Sequence, residues 1–303
     1  MVQGSDSGTV RIAELLRNDG PSFSFEFFPP KDEAGEEILW RSIAELESLQ
    51  PTFVSVTYGA GGHTRDRTVA ITERIARDTT MIPMAHLTCV GHTAEEIAGI
   101  LRDLEQAGVQ NVLALRGDPV AGPRAPWVST EGGFDHTDAL ISFIQSTSDL
   151  SIGVAAFPEG HVQADSLEHD TAVLRAKFEA GAEFAITDMV LRATDYFDMV
   201  RRARAEGVDI PIIPGIMPIL NYKSMSRMVE MSGREMPAEV LARIEPLRDD
   251  PEALRAEGIR ISTELCDELL AGGAPGLHFF TLNRSRATRE IFEGLKCNQQ
   301  LVD

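Results

Sequence analysis

The residue with the most distinctive chemistry in the chain is Glu26, set in SFEFFPP with Phe25, Phe27 and Phe28 around it. A carboxylate desolvated by such neighbours has a raised pKa and can donate a proton near neutral pH. A buried ion pair with an arginine or lysine from a neighbouring strand is the other reading, and the residues alone leave both open. In LALRGD, Arg116 and Asp118 flank Gly117, where a backbone can approach a ligand closely and a carboxylate can meet a cation or an N–H donor. A turn with a rim ion pair uses the same three residues. His86, His161 and His278 lack metal-ligand spacing and read as hydrogen-bonding histidines, structural or facing a cofactor. Thr57, Tyr58, Glu159, Asp188, Asn221, Tyr222, Asn283 and Arg284 complete the polar candidates. Tyr222 suits stacking on a ring or packing its own loop, and Arg284 suits a bidentate clamp on a carboxylate or a surface salt bridge.

These residues share a place in the pattern. From residue 22 onward, short β-rich apolar runs alternate with segments of helical period, as expected when helices cover a parallel sheet. The predicted strands are 22–28, 53–58, 83–88, 111–116, 151–157, 183–187, 210–216 and 276–282, and each carries or precedes one of the polar candidates. Leu39, Ile43 and Leu46 share a helix face, as do Ile97, Leu101 and Leu104, and Leu254, Ile261, Leu265 and Leu269. Thr93 with Glu96 predicts a capping box, and Gly108, Gly181, Gly207 and Gly273 mark helix ends. Eight strand–helix pairs predict an α/β fold, a (β/α)8 TIM barrel over 21–303 preceded by an N-terminal extension over 1–20. The charged, proline-containing stretch 231–250 reads as an insertion before the last barrel helix. A doubly wound sheet uses the same alternation, but no GxGxxG follows the first strand, and the glycines after the second lack that fingerprint.

With 303 residues, 43% of them hydrophobic, the chain can bury a sizeable core. A net charge of −19 argues against a nucleic-acid or anionic-membrane surface. The polar residues 1–9 and the lack of a long apolar run lead us to expect a cytoplasmic protein. Cys89, Cys266 and Cys297 are widely spaced and odd in number, which predicts reduced thiols rather than a disulfide framework.

Nine segments carry a resemblance: FSFEFFPPK, FVSVTYGAGG, RDRT, AHLTC, LALRGD, VAAFPE, AGAEFAIT, IIPGIMPI and HFFTLNR occur in that order from residue 23 to 284. Together they strongly resemble the methylenetetrahydrofolate reductase family in its bacterial catalytic-barrel form. The resemblance implies a barrel that holds FAD, takes hydride from NAD(P)H and interconverts 5,10-methylenetetrahydrofolate and 5-methyltetrahydrofolate by a ping-pong sequence, within one-carbon metabolism and methionine biosynthesis. It implies Glu26 as the acid that protonates the leaving amine, and Asp118 as the carboxylate that binds the pterin and stabilises the cation. The flavin-contact positions fall on Thr57, Tyr58, Ala60, His86, Arg116, Gly117, Asp118, Phe157, His161, Ala164, Asp170 and Lys177. The folate-contact positions fall on Glu26, Asp118, Asp188, Tyr222 and Arg284. A homo-oligomer acting on a folate small molecule is expected, without nucleic acid, membrane or resident metal.

The chain departs from the family pattern at several of these positions. Asp188 replaces a glutamine that contacts folate, so an acceptor-only group stands where an amide both donates and accepts. HPEA reads His161, Val162, Gln163, Ala164; Phe157 replaces a common tyrosine; and Val173 and Ala176 replace an asparagine and an arginine. These changes frame two alternatives, a paralogue with altered folate substrate or direct nicotinamide transfer without flavin, and a non-catalytic folate- or flavin-binding subunit.

Overall fold

The computed structural model describes residues 10–18, 20–59, 65–119, 122 and 124–296. Eight parallel strands close into a barrel in sequence order: β1 (Ser22–Phe27), β2 (Phe53–Val56), β3 (Pro83–Thr88), β4 (Asn111–Leu115), β5 (Ser151–Ala156), β6 (Phe184–Met189), β7 (Ile212–Ile216) and β8 (Gly276–Phe280). The (β/α)8 barrel is therefore the fold, and β1 pairs with β2 on one side and β8 on the other. The predicted strands end one or two residues late in several cases, because the rim residues turn away before the ladder ends. Strand β6 instead runs on to Met189, with a register shift between Ile186 and Met189 that takes in Thr187 and Asp188.

Helices α2 (Glu33–Glu47), α3 (Arg65–Asp78), α4 (Ala94–Gln106), α5 (Thr137–Thr147), α6 (Leu167–Glu179), α7 (Ala193–Ala205), α8 (Tyr222–Met231), α9 (Ala238–Ile244), α10 (Pro251–Ala271) and α11 (Ser285–Gly294) surround the strands. Side-chain caps start several of them. Asp32 accepts from Gly35, Ser166 from His169, Asn221 from Ser224 and Asp250 from Ala253, and Thr93 and Glu96 form the expected capping box. The stretch 231–250 holds α9 and a short 3-10 turn, and its Val240 and Ile244 pack with Met225, Val229 and Ile261. Cys89 and Cys266 are buried and free, and Cys297 lies outside the described residues. Among the described residues no helix is long and apolar enough to cross a membrane.

Strand alternation sends alternate side chains outward to the helices and inward to the barrel axis. The inward layer at the N-terminal end contains Phe53, Met84, Leu113, Phe184, Ile186 and Ile213, and the short helix α1 (Ile12–Leu15) plugs it with Ile12 and Ala13. Asn111 receives the Ile12 amide at 2.8 Å and donates to the Val10 carbonyl at 3.2 Å, while Arg11 bridges to Glu183 at 2.9 Å. Residues 10–15 thus form the floor of the barrel, and residues 1–9 of the expected extension lie outside the described residues. Ile12→Ala should lower the unfolding free energy by about 2–5 kcal/mol, as cavity-forming core truncations do, whereas exposed Glu14→Ala should stay within about 0.5 kcal/mol. Urea denaturation of the two variants checks this, and equal losses would remove the plug role.

Candidate active site

Glu26 is the fifth residue of β1, in register with Ser55 of β2 and Phe280 of β8. Phe25 and Phe27 point to the opposite face and are buried with the helices, so they are not its surroundings. What surrounds the carboxyl is polar: Oε2 lies 3.3 Å from His86 Nε2, 3.5 Å from His278 Nε2 and 3.5 Å from the Ser55 hydroxyl. The side chain is 17% exposed. Burial, the largest single influence, pushes its pKa up, but the hydrogen bonds and positive charge of His278 and His86 outweigh it and hold the group at about 2. This corrects the expected raised pKa, and the alternative of an arginine or lysine partner also gives way: the partners are two imidazoles. Below them, the fully buried His278 places Nδ1 2.8 Å from Ser24 Oγ and stacks on Phe53.

The backbone at this point is clamped. Thr281 Oγ1 donates to the Glu26 carbonyl at 2.6 Å, and the Asn283 amide accepts from Phe28 N at 2.9 Å and donates to Phe28 O at 2.8 Å. Asn283 is buried and therefore a clip for the end of β1 rather than a ligand group at the rim. Leu282 and Asn283 both have φ values near +50°, a conformation asparagine tolerates and leucine rarely adopts, and such strain is kept where the surroundings over-determine it.

A second cluster lies after β4 and β5. Arg116 donates to Gln163 Oε1 at 2.8 Å and sits 5.0 Å over the Trp127 ring. Gly117 has φ +82°, and a Cβ there would fall 2.6 Å from Val90 Cγ1, so only glycine passes this turn. Asp118 is exposed beside it. His161 takes Gln163 N on Nδ1 at 3.1 Å, packs edge-on to Phe157, and gives its own amide to Asp170 Oδ1 at 3.1 Å. Burial, then the Arg116 charge, lower the His161 pKa, and burial raises that of Asp170. Lys177 is buried; its ammonium donates to Ala155 O at 2.8 Å, and desolvation brings its pKa down to about 8. Ala164 gives its amide to the His161 carbonyl at 2.8 Å, and Tyr58 OH meets His92 Nε2 at 2.9 Å. Thr57 follows β2 with its carbonyl on Thr68 Oγ1. Ala60 lies outside the described residues. Thr88 Oγ1, next to Gly117, is buried without a hydrogen bond among the described residues, and the buried His86 Nε2 has the Glu26 contact as its polar neighbour.

Asp188 belongs to a third group. Its carboxylate is paired with Arg234, which also reaches Glu159 Oε2 at 3.2 Å and the Met189 carbonyl at 2.7 Å. Tyr222 opens α8 and borders a surface pocket with Asn221, Lys223 and Arg248, and Arg284 is exposed at the start of α11. Sequence reading passed over Ser24, Ser55 and Arg234. The period of two could have found the serines, since Ser24 and Glu26 share a face and Ser55 lies in register with Glu26; Arg234 has no comparable local signal.

A sequence model of the family described as Methylenetetrahydrofolate reductase matches residues 11–296. Among individual proteins, the chain is 38% identical over 304 aligned positions to methylenetetrahydrofolate reductase (NADH) 1 of Arabidopsis thaliana, covering 97% of this chain and 50% of that protein. It is 37% identical over 268 positions to 5,10-methylenetetrahydrofolate reductase of Escherichia coli, covering 88% of each. The chain thus spans about half the length of the plant relatives it matches. Among solved structures, an uncharacterized protein from Clostridium thermocellum that binds two copies of 5-methyl-5,6,7,8-tetrahydrofolic acid has the same fold, with a TM-score of 0.65 at 14% identity over 95% of this chain and 98% of that one.

The Glu26 geometry sets a stability test. A carboxyl held at about 2 instead of 4.5 contributes stability that is complete above pH 4.5 and disappears as pH falls through 2. The unfolding free energy of wild type minus Glu26→Gln should therefore shrink by about 3 kcal/mol between pH 5 and pH 2. Chemical denaturation across that window reads it, and a pH-independent difference would mean that the imidazoles do not hold the carboxylate.

Proposed function

The chain belongs to the methylenetetrahydrofolate reductase family, and from that membership we propose that it interconverts 5,10-methylenetetrahydrofolate and 5-methyltetrahydrofolate with NAD(P)H as co-substrate and FAD as bound cofactor. The observation that carries this reading is a carboxylate inside the barrel mouth whose only close partners among the described residues are two imidazoles and a serine. Such a group can exchange a proton with a bound amine without leaving an unpaired arginine or lysine behind.

The residues at the mouth fit FAD. Gly117 leaves a cradle that a Cβ would fill, the neighbouring Thr88 Oγ1 is buried without a hydrogen bond among the described residues, and Arg116 and Lys177 supply positive charge for a pyrophosphate, while His86, whose Nε2 faces Glu26, would meet the flavin beside that carboxylate. Thr57, Tyr58, Ala60, Phe157, His161, Ala164 and Asp170 would complete the lining. Lys177 would carry more of the anion's charge here, since Val173 and Ala176 offer no polar group. When bound, FAD supplies the hydride chemistry between nicotinamide and folate.

The chain's own residues then handle the proton and the charge. Glu26 would protonate the amine whose departure opens the five-membered ring of the folate to an iminium cation, and would take the proton back in the reverse direction. In the free site Glu26 is ionised, so the ligand must change its surroundings. A ring that covers the still exposed 17% of the side chain strengthens desolvation, already the largest influence and the one that raises the pKa, and so favours the protonated carboxyl. Asp118 would lie against the pterin and stabilise the cation electrostatically. Asp188 would accept N–H donors of the same ring, and Tyr222 and Arg284 would meet the aminobenzoate and the glutamate tail. The reading places the protein in the cytoplasm as a homo-oligomer, within one-carbon metabolism and methionine biosynthesis, and the net charge of −19 supports its avoidance of nucleic acid and anionic membranes.

Two experiments test the reading. Glu26→Gln should keep FAD binding and NAD(P)H-dependent bleaching of the flavin absorbance while folate turnover falls by at least about a hundredfold; equal loss of both half-reactions would contradict the acid role, and colourless protein that still reduces folate would replace FAD by direct nicotinamide transfer. FAD affinity should weaken as pH rises through about 8, where the Lys177 ammonium discharges, and Lys177→Met should bind weakly with no such limb. Titrations of FAD between pH 6.5 and 9.5 would show it; a parallel pH response in both proteins would exclude Lys177 from the anion site.

A further inference from the structure

Helix α8 ends in a turn that sends one side chain back into the barrel mouth. Gly233 N donates to Glu230 O at 3.0 Å and Arg234 N to Val229 O at 3.1 Å, the paired bonds of a Schellman motif. Gly233 has φ +77°, and a Cβ there would lie 2.7 Å from Val162 Cγ2, so the chain crosses the β5–α6 loop only because this residue is glycine. The next residue, Arg234, is 6% exposed and spends its guanidinium on three acceptors from two strand ends: Asp188 Oδ2, Glu159 Oε2 and Met189 O. Its Nε is buried without a partner.

Asp188 is the more open partner, 33% exposed, and its other oxygen accepts Met189 N at 2.7 Å. The register shift in β6 turns this residue out of the regular ladder. A carboxylate accepts about four hydrogen bonds, so one engaged on each oxygen still has lone pairs for a ligand, in directions fixed by the two it has made. Glu159 faces Arg192 at 3.9 Å as well, and Arg192 pairs with Asp195 at 2.8 Å, so three carboxylates and two guanidiniums alternate along this edge of the mouth.

We propose that Arg234 is a positioning residue for the substrate: its guanidinium ties the β5 and β6 ends together and sets the direction in which Asp188 accepts N–H donors of the folate ring. This rests on the folate reading above. An amino-pyrimidinone ring edge presents adjacent N–H groups, which a carboxylate in a fixed direction can accept as a pair and a swinging one cannot. Arg234 acts through Asp188, so its removal should be felt in folate binding and should be redundant once Asp188 has lost its charge.

The test is a double-mutant cycle on the full chain, with 5-methyltetrahydrofolate as the probe and calorimetry as the readout. Arg234→Met and Asp188→Asn should each raise the folate Kd about tenfold, and the double variant should be no weaker than the weaker single one. If Arg234→Met does not fold, Arg234→Lys gives the same comparison, since it keeps the charge and loses the fork. An unchanged folate Kd in the Arg234 variant or additive losses in the double variant would each overturn the positioning role. Wild-type protein that binds no folate would instead overturn the functional reading beneath it.

Discussion

One carboxylate oxygen, Glu26 Oε2, within 3.5 Å of two imidazole nitrogens that reach it from either side of β1 is the contact on which the rest depends. His86 comes from β3 and His278 from β8, so the contact exists only if the strands close with β1 between β8 and β2. A shift of one residue in β1 would turn Glu26 to the helices and put a phenylalanine among the histidines. The Asn283 clip on Phe28 and the Thr281 bonds to the Glu26 carbonyl oppose that shift, and the left-handed backbone at Leu282 is the strain accepted to hold them. A barrel core packed only with apolar side chains would need none of this.

Much of the fold was legible because its signals are local. A strand that is buried on both faces reads as an apolar run, a capping box spans three residues, and a helix-ending glycine stands where a positive φ is needed, as at Gly108, Gly181, Gly207 and Gly273. The site was legible only in part. Glu26 was conspicuous, but its environment was misjudged from residues beside it in sequence, and in a strand those residues point the other way. The groups that set its acidity are 60 and 252 residues distant in the chain, and register alone brings them close. Asn283 looked like a rim group because it is polar and follows a strand; the structure uses both ends of its amide on backbone instead.

The net charge of −19 and the cationic groups at the mouth are compatible because they act over different distances. Surface carboxylates are screened over roughly 8–10 Å at ordinary ionic strength. Lys177, by contrast, is buried against Ala155 O and beside Asp170, so its charge is felt at short range by whatever enters the mouth. The same burial makes that charge conditional, since an ammonium brought down to about 8 can be discharged under mildly alkaline conditions.

The Asp188–Arg234 pair shows how a charge at a strand end is balanced from elsewhere in the chain. A lone Asp188 carboxylate would add to a half-buried rim already occupied by Glu159. A guanidinium placed between the two bonds to both and, with Arg192 also facing Glu159, offsets their charge; its side chain is almost fully enclosed, which is tolerable for arginine because its fork can satisfy several acceptors at once. The arginine can arrive only by way of a helix end that reverses over Val162, which ties a charge on β6 to a glycine conformation 45 residues further along. Arg234 thereby fixes the direction of the Asp188 carboxylate, so the shape of this edge of the mouth depends on how firmly the turn after α8 is seated.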